Sequence, residues 1–321
     1  MIGAAAGPAD PIAGGPAVRI AVGPTPAPFA VDAVQAGGGV VVGPGEAADG
    51  LVWVSNRHLD ELRAVIDAQP GLRWVQLPFA GVEDAVGRGL VDDDRVWTCA
   101  KGCYAKPVAE HSLMLALAAL RLLPERIRAR SWGQQAGTSL YGSRVTIVGG
   151  GGITEELLRL LAPFEVTATV VRRRAGAPLD GAAEVVGTDR LHDVLPGSRV
   201  VFLALSLTPA TRGIIGPTEL DLIGPDGWLV NVARGAHVQT DALVEALAAG
   251  RLGGAALDVT DPEPLPDGHP LWDEPRCIVT PHTADTWEMI VPPLSARITT
   301  NVVRFGAGEP LEGVVDHIAG Y

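Results

Sequence analysis

The chain is poor in cysteine, short of basic charge and without a long apolar run, and each shortage removes a class of protein. Only three cysteines, Cys99, Cys103 and Cys277, stand in 321 residues. The count is odd and no pair has CxxC spacing, so neither a disulfide framework nor a four-cysteine zinc site can be assembled. No metal is expected, and the thiols read as free groups in a reducing, cytoplasmic compartment. Lysine and arginine number 25 against 37 aspartates and glutamates, a net charge of -12. That sign argues against a phosphate-backbone partner, so no nucleic acid is expected. The longest apolar run, Ser112 to Leu120, stops at Arg121. It falls well short of the roughly 18 residues a membrane helix needs, and no membrane partner is expected. The opening stretch MIGAAAGPADPIAGGPA lacks the basic and apolar regions of a secretion signal and reads as a disordered tail.

The length suggests two domains, and a hydrophobic content of 47% can fill two cores. From Val18 onward the runs VRIAV, VVV, LVWV, LRWVQL and RVWT alternate with helical segments such as His58 to Ala68. That alternation points to βα units around a parallel sheet. Val108 to Arg130 reads as one long amphipathic helix joining two domains, apolar at Leu113, Leu117 and Leu120, then basic at Arg126, Arg128 and Arg130. A second series follows: RVTIVG, EVTATVV, SRVVFLAL, GWLVNV, GGAALDV and RCIVT. Its near-continuous apolar runs suit strands buried on both faces. Thr240 is expected to cap a helix running to Ala249, with Gly250 just past its end. A last helical pattern, Trp287 to Phe305, should pack back on the first domain. The expected domains are residues 1–107 with 288–321, and residues 108–287.

After the strand Arg144 to Val148, Gly149 and Gly151 fill the first two positions of GxGxxG, followed by Gly152 and Ile153. The first glycine permits the tight turn, and the second lets a pyrophosphate approach the helix N-terminus. Thr154 holds the third position, where a β-branched residue should push the helix slightly outward. The next strand of an NAD-binding fold usually ends in an acid that bonds the ribose 2′-hydroxyl. Here it ends in Arg172, Arg173 and Arg174. The missing acid and the added cations favour NADP, with NAD as second choice and a solvated turn as the alternative for the arginines.

In such folds ligands sit beyond the carboxyl ends of the strands. Arg234 follows GWLVNVA, Asp258 ends GGAALD, Glu263 lies in the next loop and His282 follows CIVTP. The planar fork of Arg234 suits a carboxylate with its adjacent carbonyl. His282 suits exchange of a hydroxyl proton, with the Glu263 anion raising its pKa. A nicotinamide needs both supplements, since it neither orients the acid nor protonates the alkoxide. His58, His111, His192, His237, His269 and His317 lack comparable placement and read as structural.

The stretch NVARGAHVQTDALVEALAAGRLGGAALDVTDPEPLP followed by PLWDEPRCIVTPHTA, with YAKPVAEH, YGSRVTIVGGGGI and LSLTPATRGII upstream, resembles the signature region of the D-isomer-specific 2-hydroxyacid dehydrogenases. The resemblance covers most of the chain from about Leu72. It implies an α/β fold of two doubly wound parallel-sheet domains, a flavodoxin-like substrate domain and a Rossmann dinucleotide-binding domain, with a cleft between them. It implies Arg234, Glu263 and His282 as the catalytic set, with the backbone of Phe79, Ala80 and Gly81 joining Arg234 on the substrate carboxylate. Cofactor contacts are implied from Gly149, Gly151, Gly152, Ile153, Arg172, Arg173, Leu205, Thr208, Pro209, Val232 and Asp258. The reaction would be reduction of a small 2-keto acid, such as glyoxylate or hydroxypyruvate, by a homodimer formed partly through the Val108 to Arg130 helix. Trp53, Asn56, Arg57, Phe79, Tyr104 and Trp287 are further pocket candidates. The chain departs from the family at Thr154 and at Asp285, where relatives often carry a small residue. Corepressors similar to this family keep its fold and even its catalytic residues, so a dinucleotide-sensing binding protein stands as the alternative.

Overall fold

The computed structural model describes residues 17–43 and 46–316, and the N-terminal stretch read as a disordered tail lies outside them, as does His317. The chain forms two compact units, one running up to Ala100 and completed by Val291–Asp316, the other running from Lys101 to Ile290. The sequence suggests breaks at 107 and 287. The observed first break instead falls ahead of a helix that starts at Ala105, and the second falls inside the last helix.

The first unit holds strands β1 (Arg19–Gly23), β2 (Val40–Val42), β3 (Gly50–Trp53), β4 (Trp74–Gln76) and β5 (Val96–Thr98), with helices α1 (Pro28–Ala36), α2 (Leu59–Asp67) and α3 (Glu83–Gly87). All pairings are parallel, in the order β2-β1-β3-β4-β5. This is the flavodoxin-like doubly wound order. α2 buries Leu59, Leu62 and Ile66, the i, i+3, i+7 stripe of a helix lying on a sheet. Trp53, a pocket candidate by sequence, is only 1% exposed and belongs to this core.

The second unit is a seven-stranded parallel sheet of β6 (Arg144–Val148), β7 (Thr167–Val171), β8 (Glu184–Val186), β9 (Val200–Leu203), β10 (Trp228–Asn231), β11 (Gly254–Leu257) and β12 (Cys277–Val279). Its order is β12-β11-β10-β9-β6-β7-β8. Counted from β6, this is the Rossmann order with one further strand, and the winding reverses between β6 and β9. β9, β10 and β11 are buried at every position, as their unbroken apolar runs require. One core includes Leu203, Leu229, Leu243 and Leu257, and a second includes Leu115, Ile147, Leu157 and Phe202. Each such side chain, fully buried, contributes about 1.5–3 kcal/mol. The helices are α4 (Ala105–Leu120), α5 (Leu123–Arg128), α6 (Gly152–Leu161), α7 (Leu191–Val194), α8 (Pro217–Ile223), α9 (Thr240–Ala248) and α10 (Pro270–Asp273), and α11 (Trp287–Ala307) leads into the first unit.

Two local expectations are corrected. The Val108 to Arg130 pattern is two helices, because Leu122 turns left-handed at φ 51 and Pro124 follows at the start of α5. A proline there has no N–H for the Leu120 carbonyl, and its ring would collide with it. That carbonyl instead accepts from the Thr138 N–H at 2.8 Å. α9 begins at Thr240 rather than being capped by it, and the Thr240 hydroxyl donates to the Asp261 carbonyl at 2.5 Å. The helix is thereby tied to the loop that carries Glu263.

Candidate active site

A parallel sheet brings all its strand ends to one edge, and in the second unit the candidate residues follow those ends. Gly149 leaves β6 at φ 122, and its N–H donates to the Val171 carbonyl at 2.8 Å. A β-carbon at Gly149 would lie 2.0 Å from the Ala204 carbonyl oxygen, so only glycine lets the loop close against the end of β9. A β-carbon at Gly151 would meet nothing within 4 Å. Gly151 precedes α6, whose first residues are Gly152 and Ile153. Thr154 is fully buried, and its hydroxyl donates to the Gly149 carbonyl at 3.0 Å. The residue in the third glycine position thus ties the glycine loop to the first turn of α6.

The Arg172 side chain, at the end of β7, lies on this loop: a β-carbon at Gly150 would stand 2.6 Å from Arg172 Cδ. Arg172 donates to the Ala177 carbonyl through Nη2, while its buried Nε has no hydrogen-bond partner. Arg173 beside it is exposed. Leu205, Thr208 and Pro209 follow β9, where the Thr208 N–H donates to Thr211 Oγ1 at 2.9 Å and the Leu205 carbonyl lies 3.2 Å from His237 Nε2. Val232 follows β10 and is buried. Phe79, Ala80 and Gly81 lie in the first unit just beyond β4, with the Phe79 carbonyl accepting from the Ala100 N–H at 2.9 Å.

Arg234 sits in the turn after β10, half-buried. Asn231, at the strand end, holds that turn: its Nδ2 donates to the Arg234 carbonyl at 2.9 Å, and its Oδ1 accepts from the Ala233 N–H at 3.1 Å. Arg234 Nη1 donates to the Ala233 carbonyl at 2.7 Å, which fixes the plane of the guanidinium. A β-carbon at Gly235 would lie 1.9 Å from the Thr260 carbonyl oxygen. This glycine therefore lets the Arg234 turn press against the loop of Glu263.

His282 takes a left-handed backbone at φ 51, and its N–H donates to the Asp258 carbonyl at 2.8 Å. Its Nδ1 lies 2.6 Å from Glu263 Oε1, and both side chains remain nearly half exposed. The hydrogen bond to Glu263 holds the imidazole pKa above its ordinary value, against burial and the Arg234 cation, which push the other way. The same bond holds the Glu263 carboxyl below its ordinary value. Asp258 is buried, which alone would raise its pKa. Donors from His111, Thr280, Thr283 and Ala284 outweigh that and bring it to about 2. Asp285, the second departure from the family pattern, has its carboxyl pushed up by burial.

The set is a planar cation, a proton-carrying imidazole and the carboxylate that charges it. A model described as D-isomer specific 2-hydroxyacid dehydrogenase, NAD binding domain, matches residues 111–284, just over half the chain. The chain belongs to the D-isomer-specific 2-hydroxyacid dehydrogenases. This is a family of NAD(P)-dependent oxidoreductases. A glyoxylate/hydroxypyruvate reductase A from Photorhabdus laumondii is 31% identical over 259 residues, covering 79% of this chain and 75% of its own. A family member from Xanthobacter autotrophicus Py2, solved with NADPH and MES, aligns at TM-score 0.83 and 27% identity over 95% of this chain and 100% of its own. An NADPH-dependent glyoxylate/hydroxypyruvate reductase from Sinorhizobium meliloti, solved with NADP and sulfate, aligns at TM-score 0.79 and 25% identity, again over 95% and 100%.

Sequence reasoning left His111 as a structural histidine, because it does not follow a strand end as His282 does, although it closes the motif YAKPVAEH. The structure places its Nε2 3.2 Å from Thr280 Oγ1 and 3.3 Å from Asp258 Oδ1. Asn231 was also missed. It reads as one more position in a buried strand, and only its place at the strand end marks it.

Proposed function

We propose that this dehydrogenase reduces a small 2-keto acid, of the glyoxylate or hydroxypyruvate kind, with NADP(H). The observation that carries the reading is the His282–Glu263 bond of 2.6 Å on the same sheet edge as Arg234. Arg234 binds the substrate carboxylate and carbonyl oxygen through its fork. His282 gives the proton held on Nε2 to the oxygen of the reduced carbonyl, while Glu263 keeps Nδ1 protonated and stabilises the charged ring. Relatives of the chain bear the same activity in their names, and this supports the substrate class.

The residues present fit a dinucleotide. At Gly151 the loop is open, with nothing within 4 Å of where a β-carbon would stand, and it lies at the N-terminus of a ten-residue helix. Gly149, Gly151, Gly152 and Ile153 would hold the pyrophosphate, Arg172 and Arg173 the adenosine phosphate, and Leu205, Thr208, Pro209 and Val232 the rest of the cofactor, with Asp258 behind its nicotinamide end. When bound, the reduced nicotinamide supplies the hydride equivalent that the protein lacks. Arg172 supports the choice of NADP, since its stem lies on the glycine loop and its buried Nε has no partner.

Initial rates on glyoxylate, hydroxypyruvate, pyruvate and phenylpyruvate, each with NADPH and with NADH, test the proposal. A near-surface charge pair at 4 Å is worth up to about 4 kcal/mol before desolvation and screening, so NADPH should be preferred by about one to two decades. Arg172→Asp should shift the preference towards NADH, and added salt should shrink it. Equal or better efficiency with NADH would leave the three arginines as a solvated turn. Turnover of none of the four acids would return the reading to a dinucleotide-sensing binding protein.

The assembly proposed is a cytoplasmic homodimer. Exposed apolar side chains at Met114, Leu123, Ile127 and Trp132 support a partner surface along α4, α5 and the segment after them, and an odd count of three cysteines, all buried, suits a reducing compartment. Light scattering that returned the single-chain mass of 33.3 kDa would remove the dimer. Among the described residues no helix is long and apolar enough to cross a membrane.

A further inference from the structure

His282 owes its position to a short segment, 280–284, and that segment hangs on one buried carboxylate. Asp258 Oδ1 accepts from Thr280 Oγ1 at 2.5 Å and from the Thr283 N–H at 2.9 Å, and Oδ2 accepts from the Ala284 N–H at 3.0 Å. The Asp258 carbonyl accepts from the His282 N–H itself at 2.8 Å. These bonds grip the segment on both sides of a residue held at φ 51, a left-handed conformation that a non-glycine residue keeps only where its surroundings hold it there. The histidine therefore stays in place only while Asp258 does.

His111 reaches this carboxylate from α4, with its side chain 13% exposed. Its Nε2 lies 3.2 Å from Thr280 Oγ1 and 3.3 Å from Asp258 Oδ1. The direction of these bonds follows from counting hydrogens. A hydroxyl has one hydrogen, and that of Thr280 points at Asp258. An ionised carboxylate has none. Both atoms facing His111 Nε2 are acceptors, so Nε2 carries a hydrogen and donates.

We propose that His111 is a positioning residue for the reaction: by donating from Nε2 to the Asp258–Thr280 pair, it fixes the carboxylate that holds His282 at its working angle. This rests on the reductase reading above. Without the donor, a buried carboxylate loses one of its partners, and the segment relaxes towards geometries that satisfy it differently. A displacement of His282 by a fraction of an ångström is enough to cost turnover, because proton delivery depends on alignment. Substrate and cofactor contacts made elsewhere stay intact.

The experiment compares the full-length protein with His111→Leu and His111→Gln. Glutamine can place an amide N–H close to where the imidazole Nε2–H stood, and leucine cannot. His111→Leu should lower kcat on the best keto acid about tenfold to a hundredfold, with KM and the NADPH dissociation constant within about threefold of the unmodified enzyme. His111→Gln should recover most of the loss. A downfield proton resonance from the short His282 Nδ1–Glu263 bond should broaden or shift in His111→Leu and return in His111→Gln. Three results overturn the proposal: kcat unchanged in the leucine variant, a kcat loss matched by equal losses in KM and cofactor affinity, or a glutamine variant as impaired as the leucine one. The resonance is read without turnover. If no keto acid is reduced by the unmodified protein, the reductase reading fails, and an unmoved resonance then overturns the positioning role independently.

Discussion

His282→Ala is expected to lower turnover by about 10²-fold to 10⁴-fold, the range for losing a positioned general acid, while the NADPH dissociation constant changes little. The split follows from where the residue stands. Its Nδ1 is occupied by Glu263 at 2.6 Å, so the ring offers Nε2 alone to a substrate oxygen. Nothing in the glycine loop or in the Arg172 environment depends on its side chain. Turnover unchanged in His282→Ala would remove this residue from the mechanism. The same pair sets a pH dependence. Reduction needs the protonated ring, and Glu263 raises the pKa at which that proton is lost. The rate should therefore hold at low pH and fall as pH rises through the raised value. Glu263→Gln removes the anion, so its fall should come at lower pH. A profile that does not move would show that Glu263 is not what charges the ring.

The candidate set was legible because each member follows a strand whose apolar run is itself unmistakable. GWLVNVA, GGAALD and CIVTP fix where β10, β11 and β12 end, and in a parallel sheet those ends share one edge. The two sheets were legible for the same reason, with one exception. β8, Glu184–Val186, offers only the two valines Val185 and Val186 before Gly187, too few to mark a strand. What could not be read were features decided by contact across long sequence separations. Thr154 looked like a flaw in a glycine motif, but its hydroxyl reaches back to the Gly149 carbonyl. Trp53 looked like a pocket aromatic, but the sheet buries it. His111 looked like an ordinary helical histidine, and its meaning comes only from α4 lying against the Asp258 segment. The break at Leu122 was the one miss with a local cue, since Pro124 was in plain view within the apparent helix.

Arg234→Lys keeps the charge and is still expected to cost about 10²-fold or more in kcat/KM, the range for breaking a charged, hydrogen-bonded pair on binding. The Nη1 bond to the Ala233 carbonyl sets the plane of the guanidinium, and Asn231 and Gly235 set the turn that carries it. The fork is therefore oriented before substrate arrives. A lysine ammonium in the same place has no plane to orient and cannot contact a carboxylate and its neighbouring carbonyl oxygen in one fixed geometry. The pH profile separates geometry from charge. Arg234 lowers the pKa of His282 by repelling its proton. With the charge kept, Arg234→Lys should leave the fall in rate near the pH seen in the unmodified enzyme. Arg234→Gln removes the cation, so its fall should move to higher pH, opposite to Glu263→Gln. A mild effect of Arg234→Lys on both kcat and KM would mean that this arginine supplies only a positive field, and the carboxylate clamp would have to be sought elsewhere.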